Sequence, residues 1–399
     1  MMPAHPRAVH FFHPYFRDGG VERNIAILSR EFRRRGLHTD TVTLGVAAED
    51  PRTRVDGAPE LTDLGVRRAM CAVIPLAKHL RRHRPDVLLA FQSYGNVIAV
   101  LANLLAGRPT RVIVSERTAL SLERGTHAAL RHNNPLKDRV LLGLMRVCYR
   151  VADLVSANSI DGARDVERVL GLPNDSVRVL YNPTFDPSVR LNASAPVTHP
   201  FFDSPTPDPA QGKVPVLVAA GRLNPQKDFA TLLRAFALLR AQRPCRLIIV
   251  GEGSERAVLE ALATTLGIKA DVDFPGFDPN PWRYMVRADV FVLSSLWEGL
   301  PNVLIEAVAL GVPVVSTDCL SGPREILLEG RGGVLVTPGD AVGLAAALRE
   351  ALADPHRAQA LARVAQSGLP RFETAPAVEA YLQTIHHVVE QAPRRGARS

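Results

Sequence analysis

The chain has 399 residues, long for a single core and suited to two domains of about 150–200 residues each. Its 46% hydrophobic and 22% charged residues are those of a globular protein, and no apolar run approaches the roughly 18 residues of a membrane span. Net charge is +8, but the first 190 residues carry an excess of about nine positive charges while the rest is near neutral. That basic half suits an anionic membrane surface or an acidic ligand, and no nucleic-acid-binding motif accompanies it. The first 12 residues lack the basic start and apolar core of a secretory signal. Cys71, Cys148, Cys245 and Cys319 are far apart and form no CxxC pair, so reduced thiols and a cytoplasmic location are expected.

In chain order, AVHFF (residues 8–12) reads as a strand. Val21, Ile25, Leu28 and Phe32 recur at helical spacing and stop at Gly36, a C-terminal cap. TVTL (41–44), VLLAF (87–91), RVIVS (111–115), LVSANS (154–159) and VRVLYN (177–182) continue the strands, with helix-length patterns between several of them. Residues 1–185 are therefore expected to form a Rossmann-like α/β domain with a mostly parallel sheet. Residues 186–213, rich in Pro, Ser, Thr and Asp, read as an interdomain linker.

A second strand–helix series runs over 214–375: PVLVAAGR, DFATLLRAFALLRA, CRLIIVGEG, ERAVLEALATTLGI, VDFPGF, VFVLSS and VPVVSTD. A helix and a basic tail follow over 376–399. Two doubly wound domains facing each other bind ligands beyond the carboxyl ends of their strands, so the cleft between them is the expected site.

The densest chemistry is in LWEGLPNVLIE, residues 296–306. VFVLSS is a buried strand, Pro301 suits a first helical position, and the helix runs to Leu310 with Gly311 past its end. Glu298 then lies in the loop over the strand end and Glu306 about one turn inside the helix. Between them the helix start offers unpaired N–H groups and positive dipole, a phosphate site. Carboxylates accept hydrogen bonds from sugar hydroxyls, so this spacing fits a nucleotide sugar, although two acids simply favouring a helix start would look the same. GRLNPQKD (221–228) places Arg222 and Lys227 on another loop between strand and helix, where two cations stabilise a departing diphosphate.

These residues carry a family resemblance. GRLNPQKD, LIIVGEGSER, NPWRYMVRADVFVLSS, WEGLPNVLIEA and GVPVVSTDCLSGPREIL resemble the retaining family 4 glycosyltransferases of the GT-B fold, over nearly the whole second half. GGVERN (19–24), PDVLLAF, VIVSERT and ADLVSANS match more loosely. The resemblance implies that Arg222 and Lys227 hold the diphosphate, Glu298 the transferred sugar and Glu306 the ribose. Backbone at Gly299, Leu300, Pro301 and Asn302 would meet phosphate or sugar, Gly276 and Phe277 would form the base-binding edge, and Gly19 and Gly20 would let backbone approach the donor. Glu116, where many members carry a histidine nearby, would touch sugar or acceptor, and Arg117 an acceptor phosphate; an ordinary salt-bridged loop is the alternative. His13, just before the glycine loop, is open in the same way.

The implied enzyme moves a hexose or hexosamine from a nucleotide-diphosphate sugar, UDP-linked, with no cofactor and no metal. The acceptor implied by NPWRYM and SGPREIL is lipid-linked or a polysaccharide, with the basic half against the inner face of the membrane. A UDP-sugar epimerase of similar architecture and a non-catalytic nucleotide-sugar-binding protein are the rival readings. GEGSER begins like GxGxxG but has Arg256 at the third glycine, so a dinucleotide site is not expected. DVD (271–273) opens a strand and reads as a solvated edge rather than a metal site. The twelve histidines contain no HExxH, and His386-His387 lacks further ligands, so zinc chemistry is not expected.

Overall fold

In the computed structural model the described residues are 6–14, 19–44, 60–66, 68–121, 135–185, 187–203 and 213–391. They build two sheets, each in its own unit: Met1–Pro183 with Thr374–Ser399, and Thr184–Glu373. Every strand pair in both sheets is parallel.

The first sheet has the order β3-β2-β1-β4-β5-β6-β7. Its strands are β1 (Ala8–Phe12), β2 (His38–Thr43), β3 (Leu61–Asp63), β4 (Val87–Phe91), β5 (Arg111–Glu116), β6 (Leu154–Ala157) and β7 (Val177–Val179). All five residues of β4 are buried, as expected of a strand covered on both faces. Alternation divides the strands between two cores: Phe12, Val42, Leu88 and Ala90 pack with Leu76 and Leu80 of the helix Val73–His83. Val9, Phe11, Val87 and Leu89 pack with Ile25, Leu28 and Phe32 of the helix Gly20–Arg34, and with Val378, Tyr381 and Ile385 of the C-terminal helix Thr374–Glu390. The helix expected at the end of the chain thus belongs to the first unit. Gly36 has φ +84°, the left-handed backbone expected just past a helix end.

The second sheet has the order β10-β9-β8-β11-β12-β13. It comprises β8 (Val216–Ala220), β9 (Arg246–Val250), β10 (Val272–Gly276), β11 (Val290–Leu293), β12 (Val314–Thr317) and β13 (Val334–Val336). Leu217, Leu247, Ile249, Val290 and Val315 form its core with Leu232, Phe236, Leu344 and Leu348.

Two expectations change. The segment read as a linker holds helices Pro187–Ala193 and Pro200–Asp203 and is part of the second unit. His199 Nε2 lies 2.9 Å from Asp273 Oδ2, and Arg283 donates to the Pro196 carbonyl at 3.1 Å. Here proline starts helices rather than breaking them, because a first helical residue needs no N–H partner; residues 204–212 lie outside the described residues. Asp271 and Asp273 are also not a merely solvated edge. Asp271 accepts from Arg240 Nε at 2.7 Å, and Asp273 pairs with His199.

Candidate active site

The carboxyl edge of the second sheet assembles from three loops. After β8, Asn224 caps the turn Pro225–Lys227, its Oδ1 accepting the Lys227 N–H at 3.4 Å. Asp228 (φ +45°) then caps the helix Phe229–Arg240 by accepting the Thr231 N–H at 3.2 Å. The loop after β11 is laced to this turn: Leu296 N–H donates to the Gln226 carbonyl at 2.9 Å, Gln226 Nε2 to the Trp297 carbonyl at 2.9 Å, and Ser294 Oγ to the Lys227 carbonyl at 2.7 Å.

This lacing brings Lys227 Nζ to 2.6 Å from Glu298 Oε1, with side chains only 15% and 7% exposed. Ser295 Oγ donates to the same oxygen at 2.6 Å, and Gln226 Nε2 approaches Oε2 at 3.5 Å. Arg222, on the same loop as Lys227, is exposed, and its guanidinium makes no hydrogen bond or ion pair with a described residue.

Pro301 is the cap residue (φ −71°, ψ 100°) of the helix Asn302–Ala309, not its first residue as the sequence suggests. The reason is the third loop, after β12, which packs onto it. Ser321 (φ +75°) donates its hydroxyl to the Gly299 carbonyl at 2.7 Å. Gly322 (φ +95°) is required here, since a Cβ would lie 2.5 Å from Pro301 Cδ and 2.9 Å from the Gly299 oxygen. No side chain caps the helix start, and the Pro301 carbonyl accepts from the Leu304 and Ile305 N–H groups at 3.0 and 3.3 Å. Asn302 Oδ1 accepts from the Thr184 hydroxyl at 3.1 Å, and Glu306 is buried on the inner face of the helix. Cys319 lies nearby, its thiol pushed up by burial and then by Glu298, which keeps it protonated.

Gly276 (φ +92°) ends β10 and accepts the Gly251 N–H at 2.8 Å; the Phe277 ring beyond it is 52% exposed. The GEGSER run has a backbone explanation. A Cβ on Gly251 would lie 1.9 Å from the Gly221 oxygen, and one on Gly253 2.2 Å from the Leu223 oxygen. These glycines let two loops touch, and so position Arg222.

The first unit holds the remaining candidates. His13 is buried, its Nε2 3.3 Å from Glu22 Oε1, and Gly19 packs against Glu22, where a Cβ would fall 2.5 Å from Oε2. Gly20 opens the helix Gly20–Arg34. Glu116 is buried at the end of β5 and is engaged by Asn96 Nδ2 and Ser93 Oγ, each at 3.2 Å, and by the Tyr149 hydroxyl. Arg117 donates to Asn182 Oδ1 at 2.6 Å and Tyr381 Oη at 2.7 Å and lies over the Phe91 ring. Both are thus held by their own unit rather than turned out from a loop. Sequence reasoning missed Glu22, Gln226, Ser295, Ser321 and Gly322. The last two sit in the quoted SGPREIL, where an S-G-P turn is the legible signal.

Two parallel, doubly wound sheets in one chain are the architecture of the GT-B glycosyltransferases. The family described as Glycosyl transferases group 1 matches residues 204–367, and that described as Glycosyltransferase Family 4 matches residues 18–184. The chain belongs to these glycosyltransferases and is a member of that enzyme class. It is 29% identical over 385 residues, 94% of its own length and 97% of the relative's, to the lipopolysaccharide core biosynthesis glycosyltransferase LpsE of Rhizobium meliloti. It is also 29% identical over 289 residues, 72% of its length and 73% of the relative's, to a Campylobacter jejuni N-acetylgalactosaminyltransferase acting on a saccharide diphospho-undecaprenol. Among solved structures, Anabaena Alr3699/HepE in complex with UDP shares the fold at a TM-score of 0.76 and 21% identity, covering 96% of this chain and all of that one.

Proposed function

We propose that the chain is a retaining glycosyltransferase that moves a hexose or hexosamine from a UDP-sugar to a lipid-linked or polysaccharide acceptor. The Lys227–Glu298 pair beside the helix start at Asn302 carries this reading. Before the donor binds, the two charges satisfy one another. The diphosphate then takes Lys227, Arg222 and the helix N–H groups, and Glu298 turns its acceptor capacity to a sugar hydroxyl. Glu306 holds the ribose, while Gly276 and Phe277 border the base.

In the transfer, the bond from the anomeric carbon to the diphosphate oxygen breaks as the acceptor oxygen bonds to the same face. The acceptor proton passes to a phosphate oxygen. The protein positions the reactants and stabilises the charge that develops on the diphosphate. That step gives metal no role.

The relatives support this acceptor class, one being named for lipopolysaccharide core synthesis and one for a diphospho-undecaprenol acceptor. The helix Pro135–Val151 supports a peripheral membrane contact from the inner face. Exposed Leu136, Val140 and Val147 recur along one side, flanked by exposed Lys137, Arg139, Arg146 and Arg150. No described helix is long and apolar enough to cross a membrane.

The test is transfer from α-linked UDP-glucose, UDP-galactose and their N-acetylamino forms to a polyprenyl-diphosphate saccharide, with product anomeric configuration read by NMR. An α-linked product is expected. A β-linked product would exclude retention, and conversion of the UDP-sugar without acceptor would favour an epimerase.

A further inference from the structure

One buried cluster lies apart from the transfer chemistry. His10 occupies the middle of β1 on the same face as Phe12, where the helix Val73–His83 covers the sheet. Asp40 is its register partner on β2, and His79 comes down from the helix. All three are buried. His10 Nδ1 is 3.0 Å from His79 Nε2, which in turn is 3.8 Å from Asp40 Oδ2. One ligand atom from each residue falls within 4.8 Å of the other two. Asp40 Oδ2 accepts from the Thr62 hydroxyl at 2.7 Å, whereas Asp40 Oδ1 is buried with no hydrogen-bond partner among the described residues.

We propose that His10, Asp40 and His79 bind one zinc ion that clips β1, β2 and the helix Val73–His83 together, a structural site distinct from the glycosyl-transfer edge. Tetrahedral zinc with bonds of about 2.0–2.1 Å sets ligand atoms about 3.3 Å apart, between the 3.0 Å of His10–His79 and the 3.8 Å of His79–Asp40. Two imidazoles and one carboxylate suit zinc rather than magnesium or calcium, which prefer all-oxygen sites. Asp40 is a buried carboxylate with one oxygen unpartnered among the described residues, and the ion would offset its charge. His83, whose ring stacks on His79 with centroids 4.3 Å apart, and His38, 5.8 Å from His10, are both exposed. They lie beside the cluster, whose three ligands leave one tetrahedral position for water. Burial, reinforced by the neighbouring imidazoles, holds the His10 pKa down to about 3 and the His79 pKa to about 4.

The experiment uses the full chain, without a polyhistidine tag, stripped with a chelator and titrated with zinc against a chromophoric competitor. Cobalt substitution serves as the spectroscopic probe. One zinc per chain is expected, with a tetrahedral cobalt spectrum, and a loss of affinity of about a hundredfold or more in both His79→Gln and Asp40→Asn. Asparagine keeps the shape of Asp40 and the acceptor for Thr62, so it decides the matter if the histidine variant fails to fold. No stoichiometric zinc on the wild-type chain, or zinc bound equally by the wild type and Asp40→Asn, overturns the proposal.

Discussion

Lys227 Nζ and Glu298 Oε1 stand 2.6 Å apart although 71 residues separate them in the chain. The turn Pro225–Lys227 and the loop after β11 are stitched together by Gln226, Ser294 and Leu296, so the pair is set by backbone rather than by two mobile side chains. Removing one partner should therefore act on both stability and chemistry. Lys227→Met strands the Glu298 carboxylate and should cost on the order of 2–4 kcal/mol, near the range for breaking a buried ion pair. Glu298→Gln keeps a hydrogen-bonding side chain and should cost much less stability. Each variant should lower kcat/KM for transfer by about 10²–10³-fold, as loss of one group stabilising developing charge does. Urea denaturation beside steady-state kinetics separates the two effects; near-full activity in both variants would sink the assignment.

A second prediction concerns glycines that look like nucleotide-binding residues. Gly251→Ala forces a Cβ to 1.9 Å from the Gly221 oxygen at a φ of +149°, with backbone on both sides. It should destabilise the second unit by about 2–4 kcal/mol, above the usual overpacking cost because backbone cannot rotate aside. Gly267→Ala, at φ +69° with nothing within 4 Å, is the control and should cost about 1–2 kcal/mol. Thermal denaturation of the two variants orders them; equal losses would mean that the loop contact is unimportant.

Much of the fold is legible in the amino-acid sequence. The strands VLLAF and VFVLSS announce themselves because sheets covered on both faces need continuous apolar runs, and β4 and β11 follow. That Lys227 and Glu298 share one sheet edge is legible because loops after parallel strands converge there by topology. The short edge strands β3 and β13, only partly buried, left no such signal. The segment 187–203 was misread because proline marks helix starts as well as linkers. Nor could sequence spacing connect His10, Asp40 and His79, since parallel pairing of β1 with β2 and packing of a helix bring them together. The same holds for Glu116 and Arg117, whose partners Tyr149 and Tyr381 lie far along the chain.

The Arg117–Tyr381 contact makes a third prediction. Tyr381 is fully buried in the C-terminal helix and gives Arg117 an acceptor at 2.7 Å. Tyr381→Phe keeps the packing and removes the acceptor, so it should cost about 1.5–3 kcal/mol, the range for a hydrogen bond to a charged group. UDP affinity should not change. Hydrogen exchange in the Thr374–Glu390 helix should rise; unchanged protection there would contradict a docking role.

The buried histidines give a pH dependence whose sign is fixed. Folded values of about 3 for His10 and about 4 for His79 lie below the unfolded value of about 6.5, so the unfolded chain binds more protons between them. Stability from this pair is complete above about pH 6.5 and falls as the pH drops toward the folded values, by up to about 1.4 kcal/mol per pH unit for each histidine. His38, His83 and Asp40 face the same cluster. Urea midpoints measured in chelator from about pH 7 to about pH 5 should fall, and His79→Gln should reduce the slope by about one proton. A slope that His79→Gln leaves unchanged would place the titration elsewhere.

The central claim is that the loop edge holding Lys227 and Glu298 receives a nucleoside diphosphate. Thermal denaturation of the wild-type chain with UDP, GDP, ADP and NAD tests it most directly. Ligand at a hundred times its dissociation constant adds about 2.7 kcal/mol, or about 5–10 °C for a unit of this size. UDP alone should produce that shift, and Lys227→Met should abolish it. No shift with any nucleoside diphosphate, a shift with NAD only, or a UDP shift that survives Lys227→Met would contradict the account.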